Sequence, residues 1–476
     1  MIFFVKGLMF ASFLFINYIF ERIYVNQYYS FTRFIKVIDS KIKRIGLISC
    51  VLIFINLPFF YKYFSYIVSI LLIFLYTISI KYYNLTLTRR NITYFFLSAS
   101  IFLIIILFID IRLVLSLFFG FYFLVFFLAN LILLPIENMI RNFYYEKAKK
   151  RLLELKPYII GITGSFGKTT TRMMLKDLLA TKYRVITPNG NINTPSGIAK
   201  FINNTSLANV DILILELGID RINSMKVFKK FIDLDIGIIT NIGKMHLATF
   251  KSIDNIYKEK IKILEMVKDK MLYLNKDCEY LDKSHPFKTC FFSKSMINNY
   301  SSNLSGTKFK YEGKEYYSKV YNPFYKSYFS LAILIGKRLG LSNQQLKEGI
   351  SSIHQVDNRF SVIKKNGKII IKDNYNNNFQ GAKEDIDYLK KLPGISIVIT
   401  SGLIELGDEY ETLNQKLGDY INPLKTIFIG KKDHPLFKSL KNAIIVSSFI
   451  EAENYINLFD FDNILILSKG DNLYVK

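Results

Sequence analysis

A glycine-rich loop in the first half of the chain carries residues that suit phosphate binding. It reads Gly164-Ser165-Phe166-Gly167-Lys168-Thr169-Thr170. The two glycines allow backbone N–H groups to close around phosphate oxygens. The Lys168 ammonium neutralises phosphate charge, and the Thr169 hydroxyl suits Mg²⁺. The loop therefore predicts a nucleotide phosphate site that includes Ser165 and Thr170.

The sequence on either side of the loop fits this interpretation. Residues 157–163 (PYIIGIT) form a short apolar run typical of a buried parallel strand, and a helical pattern follows the loop to about Ala180. The start of that helix adds the positive end of its dipole beside the phosphates. Ile162 stands where the strict phosphate-loop spacing has its first glycine, so a glycine turn without a ligand is the alternative.

The form TGSFGKTTT resembles the phosphate loop of the Mur ligases, and the resemblance continues to the end of the chain. The segment 373–378 is similar to an Asn-rich element of the MurF branch, which adds D-alanyl-D-alanine. The matching segments are GNINTP at 190–195, DILILELG at 211–218, DIGIITNIGKMH at 235–246, Lys260, NRF at 358–360, DNYNNN at 373–378 and GLIELG at 402–407.

The resemblance implies an ATP-dependent reaction in two steps. A substrate carboxylate takes the γ-phosphoryl group and becomes an acyl phosphate, and an amine then displaces phosphate to form an amide bond. The implied catalytic residues are Lys168, Glu216, His246 and Lys260. Two Mg²⁺ sites are implied as well, one held by Thr169 and Glu216 and the other by His246 and a carbamylated Lys260.

The resemblance also implies the residues that bind nucleotide and substrates. Asn241 would contact adenine, Asp373 the ribose and Arg359 the phosphates. The substrate-binding residues would be Asn193, Thr194, Tyr375, Asn376 and Asn378. Simpler interpretations stay open, since asparagines are common loop formers. Lys260, next to Glu259 and close to Lys258 and Lys262, could lie on a solvated helix face.

Alternation of strands and helices predicts two α/β domains with parallel sheets. The first, 157–318, has strands near 157–163, 184–188, 211–217 and 235–242, and the resemblance implies that it is the ATP-binding Mur ligase central domain. The second, 319–476, is a Rossmann-like domain with strands near 367–373, 396–401, 426–430, 443–447 and 463–468. The nucleotide should lie between them, at the carboxyl ends of the strands.

The first 136 residues predict a membrane region in place of the domain that holds the UDP-sugar in the family. Five apolar segments, near 2–20, 45–61, 64–80, 93–110 and 113–136, approach the length of a membrane-spanning helix. Basic residues are concentrated after the first, third and fifth segments. This distribution predicts a multi-pass protein of the cytoplasmic membrane, with its N-terminus outside and its α/β domains in the cytoplasm.

Residues 137–156 predict a basic juxtamembrane amphipathic helix, either solvated or lying on anionic lipid. The net charge of +25 is explained largely by the cytoplasmic loops, so no nucleic-acid partner is predicted. The expected partners are membrane lipid, a cell-wall peptide precursor and a short amine. A lipid-linked or polyglutamate-type acceptor, or a membrane nucleotide-binding regulator, is the alternative.

Overall fold

The computed structural model describes residues 2–26, 48–49, 51–52, 68–69, 71, 89–190, 192–245, 247–303, 305–356, 360–365, 367–373, 379–403, 406, 409–458 and 461–467. The chain forms two compact units, Met1–Asn142 and Phe143–Lys476. The first unit is helical and the second carries the sheets.

The first unit is built from apolar helices that pack through aromatic side chains. Phe13 stacks on Phe102 with ring centroids 3.9 Å apart, and Asn17 donates to the Ser98 hydroxyl across the same helix pair at 2.7 Å. Many of the outward-facing residues are also apolar, including Phe96 and Leu124. The helices are α1 (Ile2–Asn26), α2 (Arg89–Phe108), α3 (Ile111–Ser116) and α4 (Phe118–Leu155).

Helices α2 and α4 are long and apolar enough to cross a membrane, judged by length and composition alone. Helix α1 contains a shorter apolar segment, Phe3–Tyr18. The predicted spans at 45–61 and 64–80 lie almost entirely outside the described residues. Residues 113–136 and 137–156 were predicted as a span and a separate helix, but α4 runs through Pro135 to Leu155 without a break. A proline removes one backbone donor from a helix, and apolar helices tolerate this loss.

The second unit opens with a parallel sheet whose strands are rich in isoleucine and leucine, as expected for strands buried on both faces. Its order is β2-β3-β1-β4-β5-β6. The strands are β1 (Tyr158–Thr163), β2 (Val185–Ile186), β3 (Ile212–Glu216), β4 (Ile236–Ile239), β5 (Met271–Asn275) and β6 (Lys288–Phe292). The helices between them are α5 (Lys168–Leu179), α6 (Pro195–Asn204), α7 (Ser224–Phe228), α8 (Leu247–Phe250) and α9 (Ile253–Ile261), with a 3₁₀ turn at Lys262–Met266.

The register of the central strands brings three predicted motifs to one edge of the sheet. Strand β1 pairs in parallel with β3, where Ile162 is opposite Glu216, and with β4, where Ile162 is opposite Ile238. The glycine loop, Glu216 and the Asn241 segment all follow these strand ends. Parallel pairing therefore places them together at the carboxyl edge, where α/β proteins bind ligands.

The predicted domain boundary at 318/319 falls before two helices that belong to the first α/β domain. An antiparallel sheet of β7 (Ile297–Asn303), β8 (Gly306–Tyr311) and β9 (Lys314–Ser318) precedes α10 (Lys326–Arg338) and α11 (Asn343–Ser352). Phe329 and Ile350 are fully buried in the same core as Leu178 of α5. The helices complete the covering of the parallel sheet, which sequence periodicity alone does not reveal.

The second α/β domain has a sheet of order β10-β11-β15-β12-β13-β14, parallel except for the β10–β11 pair. The strands are β10 (Ser361–Lys365), β11 (Lys368–Lys372), β12 (Ser396–Thr400), β13 (Lys425–Ile429), β14 (Ala443–Val446) and β15 (Asn463–Ile466). The helices are α12 (Phe379–Leu389), α13 (Tyr410–Ile421), α14 (Pro435–Ser439) and α15 (Phe449–Leu458).

Candidate active site

The two glycines of the phosphate loop occupy positions that other residues could not. Gly164 and Gly167 have φ of 148° and 82°, in the region that favours glycine. A Cβ on Gly164 would lie 2.0 Å from Thr240 Oγ1, and one on Gly167 would lie 2.4 Å from the Tyr328 hydroxyl. The loop thus needs glycine at both positions for conformation and for space.

Ser165 fixes the loop to the segment that follows β4. Its backbone N–H donates to the Asn241 carbonyl at 2.8 Å, and its hydroxyl exchanges hydrogen bonds with the Gly243 N–H at 2.9 Å and carbonyl at 3.0 Å. Asn241, predicted to contact adenine, accepts a hydrogen bond at its side-chain oxygen from the Ile242 N–H at 3.0 Å. These hydrogen bonds therefore hold the glycine loop directly against the Asn241 segment.

Lys168 is the first residue of α5, and its ammonium folds back over the loop. It donates to the carbonyls of Gly164 at 2.7 Å and Ser165 at 3.3 Å. A cation held there, at the start of a helix, faces the place where phosphates bind in such loops. The neighbouring Thr170 is buried.

Glu216 is the buried carboxylate at the centre of the site. It ends β3, and its oxygens accept hydrogen bonds from the Thr169 hydroxyl at 2.9 Å and the Asn193 side-chain amide at 3.2 Å. The guanidinium of Arg172 lies 3.6 Å from the same carboxylate. The structure thus brings together Thr169, Asn193 and Glu216, which were predicted from widely separated motifs. It adds Arg172 to this cluster.

Arg172 was missed by the sequence analysis. Its guanidinium is buried and also donates to the Thr187 hydroxyl at 3.2 Å, the Pro188 carbonyl and the Gly190 carbonyl at 2.9 Å. It therefore ties Glu216 to the segment that leads into the Asn193 loop. The spacing between Thr169 and Arg172 could have identified this residue, because residues three positions apart lie on the same face of a helix.

Lys260 is buried in α9, which rules out the solvated helix face for this residue. Burial lowers the pKa of its amine well below the ordinary value, the charge of Lys168 lowers it further, and Glu259 and Asp220 oppose the shift. A lysine held this way carries a larger neutral fraction than an exposed one. Glu259, also buried, accepts hydrogen bonds from the Met225 N–H at 3.0 Å and the Lys262 ammonium at 2.6 Å.

The loop that carries Asn193 and Thr194, which the resemblance predicts to bind substrate, is held by a backbone hydrogen bond and by a helix cap. Thr194 is the N-cap of α6, and its side chain accepts from the Gly197 N–H at 3.2 Å. The Asn193 carbonyl accepts from the Gly218 N–H at 2.8 Å. Thr194 thus has a structural role in α6, while Asn193 points its amide at Glu216.

In the second α/β domain, Asp373 follows β11 at the carboxyl edge of the sheet, and its backbone N–H donates to the Ile466 carbonyl at 3.1 Å. Burial, followed by the charge of Asp373, raises the pKa of the neighbouring Asp385 well above its ordinary value. Lys244 donates to both oxygens of Glu409 at 2.8 Å and so connects the Asn241 segment to this domain. His246, Arg359, Tyr375, Asn376 and Asn378 lie outside the described residues.

The parallel sheet and its glycine loop define the class of the protein, a P-loop nucleotide-binding α/β protein. The family profile described as the Mur ligase middle domain matches residues 162–337. This part of the chain is therefore a Mur ligase middle domain, and the resemblance seen in the sequence is confirmed. The match extends past residue 318, in agreement with the packing of α10.

Two curated relatives with 30% identity carry the name of one branch of these ligases. The UDP-N-acetylmuramoyl-tripeptide–D-alanyl-D-alanine ligase of Bacillus subtilis is 30% identical over 295 residues, which cover 59% of this chain and 64% of that protein. The ligase of the same name from Borreliella burgdorferi is 30% identical over 237 residues, 46% of this chain and 49% of that protein. The aligned segments thus span less than two thirds of both relatives.

The fold is that of solved Mur ligases. The MurF ligase from Thermotoga maritima, solved in complex with ADP, superposes with a TM-score of 0.63 at 23% identity, over 69% of this chain and 80% of that one. MurF from Acinetobacter baumannii superposes with a TM-score of 0.62 at 20% identity, over 69% and 77%. At these identities the likeness establishes the arrangement of the α/β domains.

Arg172→Met should destabilise the chain strongly, because it leaves the Glu216 carboxylate buried without its cation. We expect a loss of about 3–5 kcal/mol in the free energy of unfolding, the usual result of breaking a buried ion pair. Denaturant unfolding measures it, with Arg184→Met as the control because Arg184 is exposed. Equal stability of the two variants would show that Arg172 does not hold Glu216.

Proposed function

We propose that this chain is an ATP-dependent ligase of the MurF type, which joins D-alanyl-D-alanine or another short amine to the carboxylate of a cell-wall peptide precursor. The observation that carries the proposal is the cluster around Glu216. It places the Thr169 hydroxyl, the Asn193 amide and the phosphate loop at one strand edge. The names of the curated relatives support the same reaction.

The proposed chemistry needs positioning and charge neutralisation more than proton transfer. An acceptor carboxylate oxygen attacks the γ-phosphorus of ATP, the bond to the β–γ bridging oxygen breaks, and ADP leaves. The amine then attacks the acyl carbon of the acyl phosphate, the C–O bond breaks, and inorganic phosphate leaves as the amine loses a proton. Lys168 and the loop N–H groups stabilise the charge on the transferred group.

The residues at the first site fit Mg²⁺. A hydroxyl and a carboxylate, Thr169 and Glu216, are the hard oxygen donors that this ion prefers, and they lie 2.9 Å apart. A bound Mg²⁺ would supply a positive charge beside the phosphates. The buried Arg172 keeps the Glu216 carboxylate in place for this role.

Lys260 is suited to form the carbamate that we propose for the second site. A neutral lysine amine combines with CO₂ to give a carbamate and a proton, which changes a cation into an oxygen ligand. Burial beside Lys168, which lowers the pKa of Lys260, supplies the neutral amine that this step requires. His246 is the proposed partner of the carbamate in holding a second Mg²⁺.

We further propose that the apolar helices anchor the protein in the cytoplasmic membrane as a multi-pass protein, with its N-terminus outside and its α/β domains in the cytoplasm. Helices α2 and α4 support this proposal, because both are long enough to cross a membrane and expose many apolar side chains. Such an anchor favours a second candidate acceptor, a peptide linked to lipid, since that substrate would lie in the same membrane as the helices.

A product assay tests the proposed activity and separates the two acceptors. The full chain in membranes receives ATP, Mg²⁺ and D-alanyl-D-alanine with either a UDP-linked muramoyl tripeptide or its lipid-linked counterpart. We expect ADP release that requires both acceptor and amine, and a product heavier by one dipeptide in mass spectrometry. Lys168→Ala is the control for background ATP hydrolysis. Absence of the product with both acceptors would refute D-alanyl-D-alanine as the amine, and absence of amine-dependent ADP release with any other short amine would refute the ligase itself.

Lys260→Ala should lose most activity, and excess acetate should restore part of it by supplying the missing carboxylate oxygen. The matched control is Lys258→Ala, because Lys258 is exposed. Lys262 is a poorer control, since it bonds to the buried Glu259. Because the carbamate forms from the neutral amine, wild-type activity should fall as pH decreases through the lowered pKa of Lys260 in CO₂-free buffer, and added bicarbonate should oppose the loss. Full activity of Lys260→Ala would contradict the carbamate.

A further inference from the structure

The last turns of α4, residues 143–155, pack on the first α/β domain. Tyr145, Ala148 and Leu152 recur at helical spacing and are buried in the same core as Ile198 and Ile202 of α6. The Tyr145 ring also stacks on Phe231 with centroids 4.9 Å apart and ring planes within 4°. The face that carries Tyr145, Ala148 and Leu152 is thus covered by protein, which neither alternative for 137–156 foresaw.

Polar contacts from this segment hold α6 at both ends. At the first turn, the Tyr145 hydroxyl lies 3.2 Å from the Ser196 hydroxyl. At the last turn, the Arg151 guanidinium donates to the carbonyls of Ile202 at 2.7 Å, Asn203 at 2.5 Å and Thr205 at 3.1 Å. Arg151 satisfies carbonyls that the helix leaves open and places a cation at the negative end of its dipole.

The other end of α6 leads directly into the Glu216 cluster. Thr194 caps the helix, and the preceding Asn193 donates to the Glu216 carboxylate at 3.2 Å. Consecutive contacts therefore connect Tyr145 to Glu216 through Ser196, the Thr194 cap and Asn193. A shift of α6 along or about its axis would move the Asn193 amide.

We propose that Tyr145 and Arg151 are positioning residues for the loop that carries Asn193 and Thr194. By holding α6 at both ends, they fix the Asn193 amide against Glu216. Residues 143–155 thereby contribute to the activity of the ligase domain. The role in catalysis rests on the proposed function, whereas the effect on α6 does not. The alternative is that this segment only adds folding stability.

Conservative variants with exposed neighbours as controls separate these two roles. Tyr145→Phe keeps the ring that stacks on Phe231 and removes only the hydroxyl, so Tyr144→Phe is its control. Arg151→Met keeps much of the side-chain length and removes the guanidinium, so Lys150→Met is its control. Tyr144 and Lys150 are exposed, and neither has been assigned to the site.

The first measurement is hydrogen exchange of backbone amides in 192–205, made on the full chain in membranes. Loss of one hydrogen bond weakens local structure by about a factor of five, so exchange should be about fivefold faster in Tyr145→Phe and faster still in Arg151→Met. Both controls should exchange like the wild type. If Tyr145→Phe and Arg151→Met leave exchange in 192–205 unchanged, the proposal is wrong, whatever the protein catalyses.

The second measurement is steady-state kinetics of the proposed ligase reaction. Tyr145→Phe should lower kcat/KM for the acceptor by about fivefold, while the KM for ATP and the thermal melting temperature stay near wild type. Ser196→Ala should give the same loss, and the double variant should add little to either. A loss in melting temperature without a kinetic change would assign a purely structural role. Absence of turnover in the wild type would count against the proposed function alone, because the exchange result stands independently.

Discussion

The buried Glu216 carboxylate is the group on which the rest of the site depends. A buried anion is stable only where donors surround it, and the three partners of Glu216 come from two separate parts of the chain. Thr169 and Arg172 belong to the helix after the glycine loop, and Asn193 belongs to the loop before α6. Satisfying one carboxylate therefore fixes the glycine loop and the loop that carries Asn193 relative to β3.

Lys260 adds a second constraint, since it is a buried amine whose pKa is lowered by burial and by Lys168. A second ammonium group beside the charge of Lys168 is unfavourable in this buried place unless Lys260 is neutral or modified. A carbamate on Lys260 would replace that repulsion with attraction. The chemistry proposed for the second site thus follows from the same electrostatics that make an ordinary charged lysine costly there.

Much of this arrangement could be predicted from the sequence because it depends on local patterns. The short apolar runs ending at Thr163, Glu216 and Ile239 are strands, and parallel pairing brings their ends together. The remaining features depend on contacts between distant segments. Arg172 reaches carbonyls near residue 190, α10 and α11 share a buried core with Leu178 of α5, which lies far earlier in the chain, and the end of α4 packs on α6.

Mg²⁺ held by Glu216 and Thr169 beside the nucleotide phosphates would strengthen nucleotide binding, and calorimetry of ADP binding with and without Mg²⁺ measures this effect. Glu216→Gln keeps the shape of the side chain and removes its charge. We expect Mg²⁺ to tighten ADP binding to the wild type by about tenfold, or about 1.4 kcal/mol. In Glu216→Gln, Mg²⁺ should give no such gain over the same variant without metal. If Mg²⁺ tightens ADP binding to Glu216→Gln as much as to the wild type, Glu216 does not hold the metal.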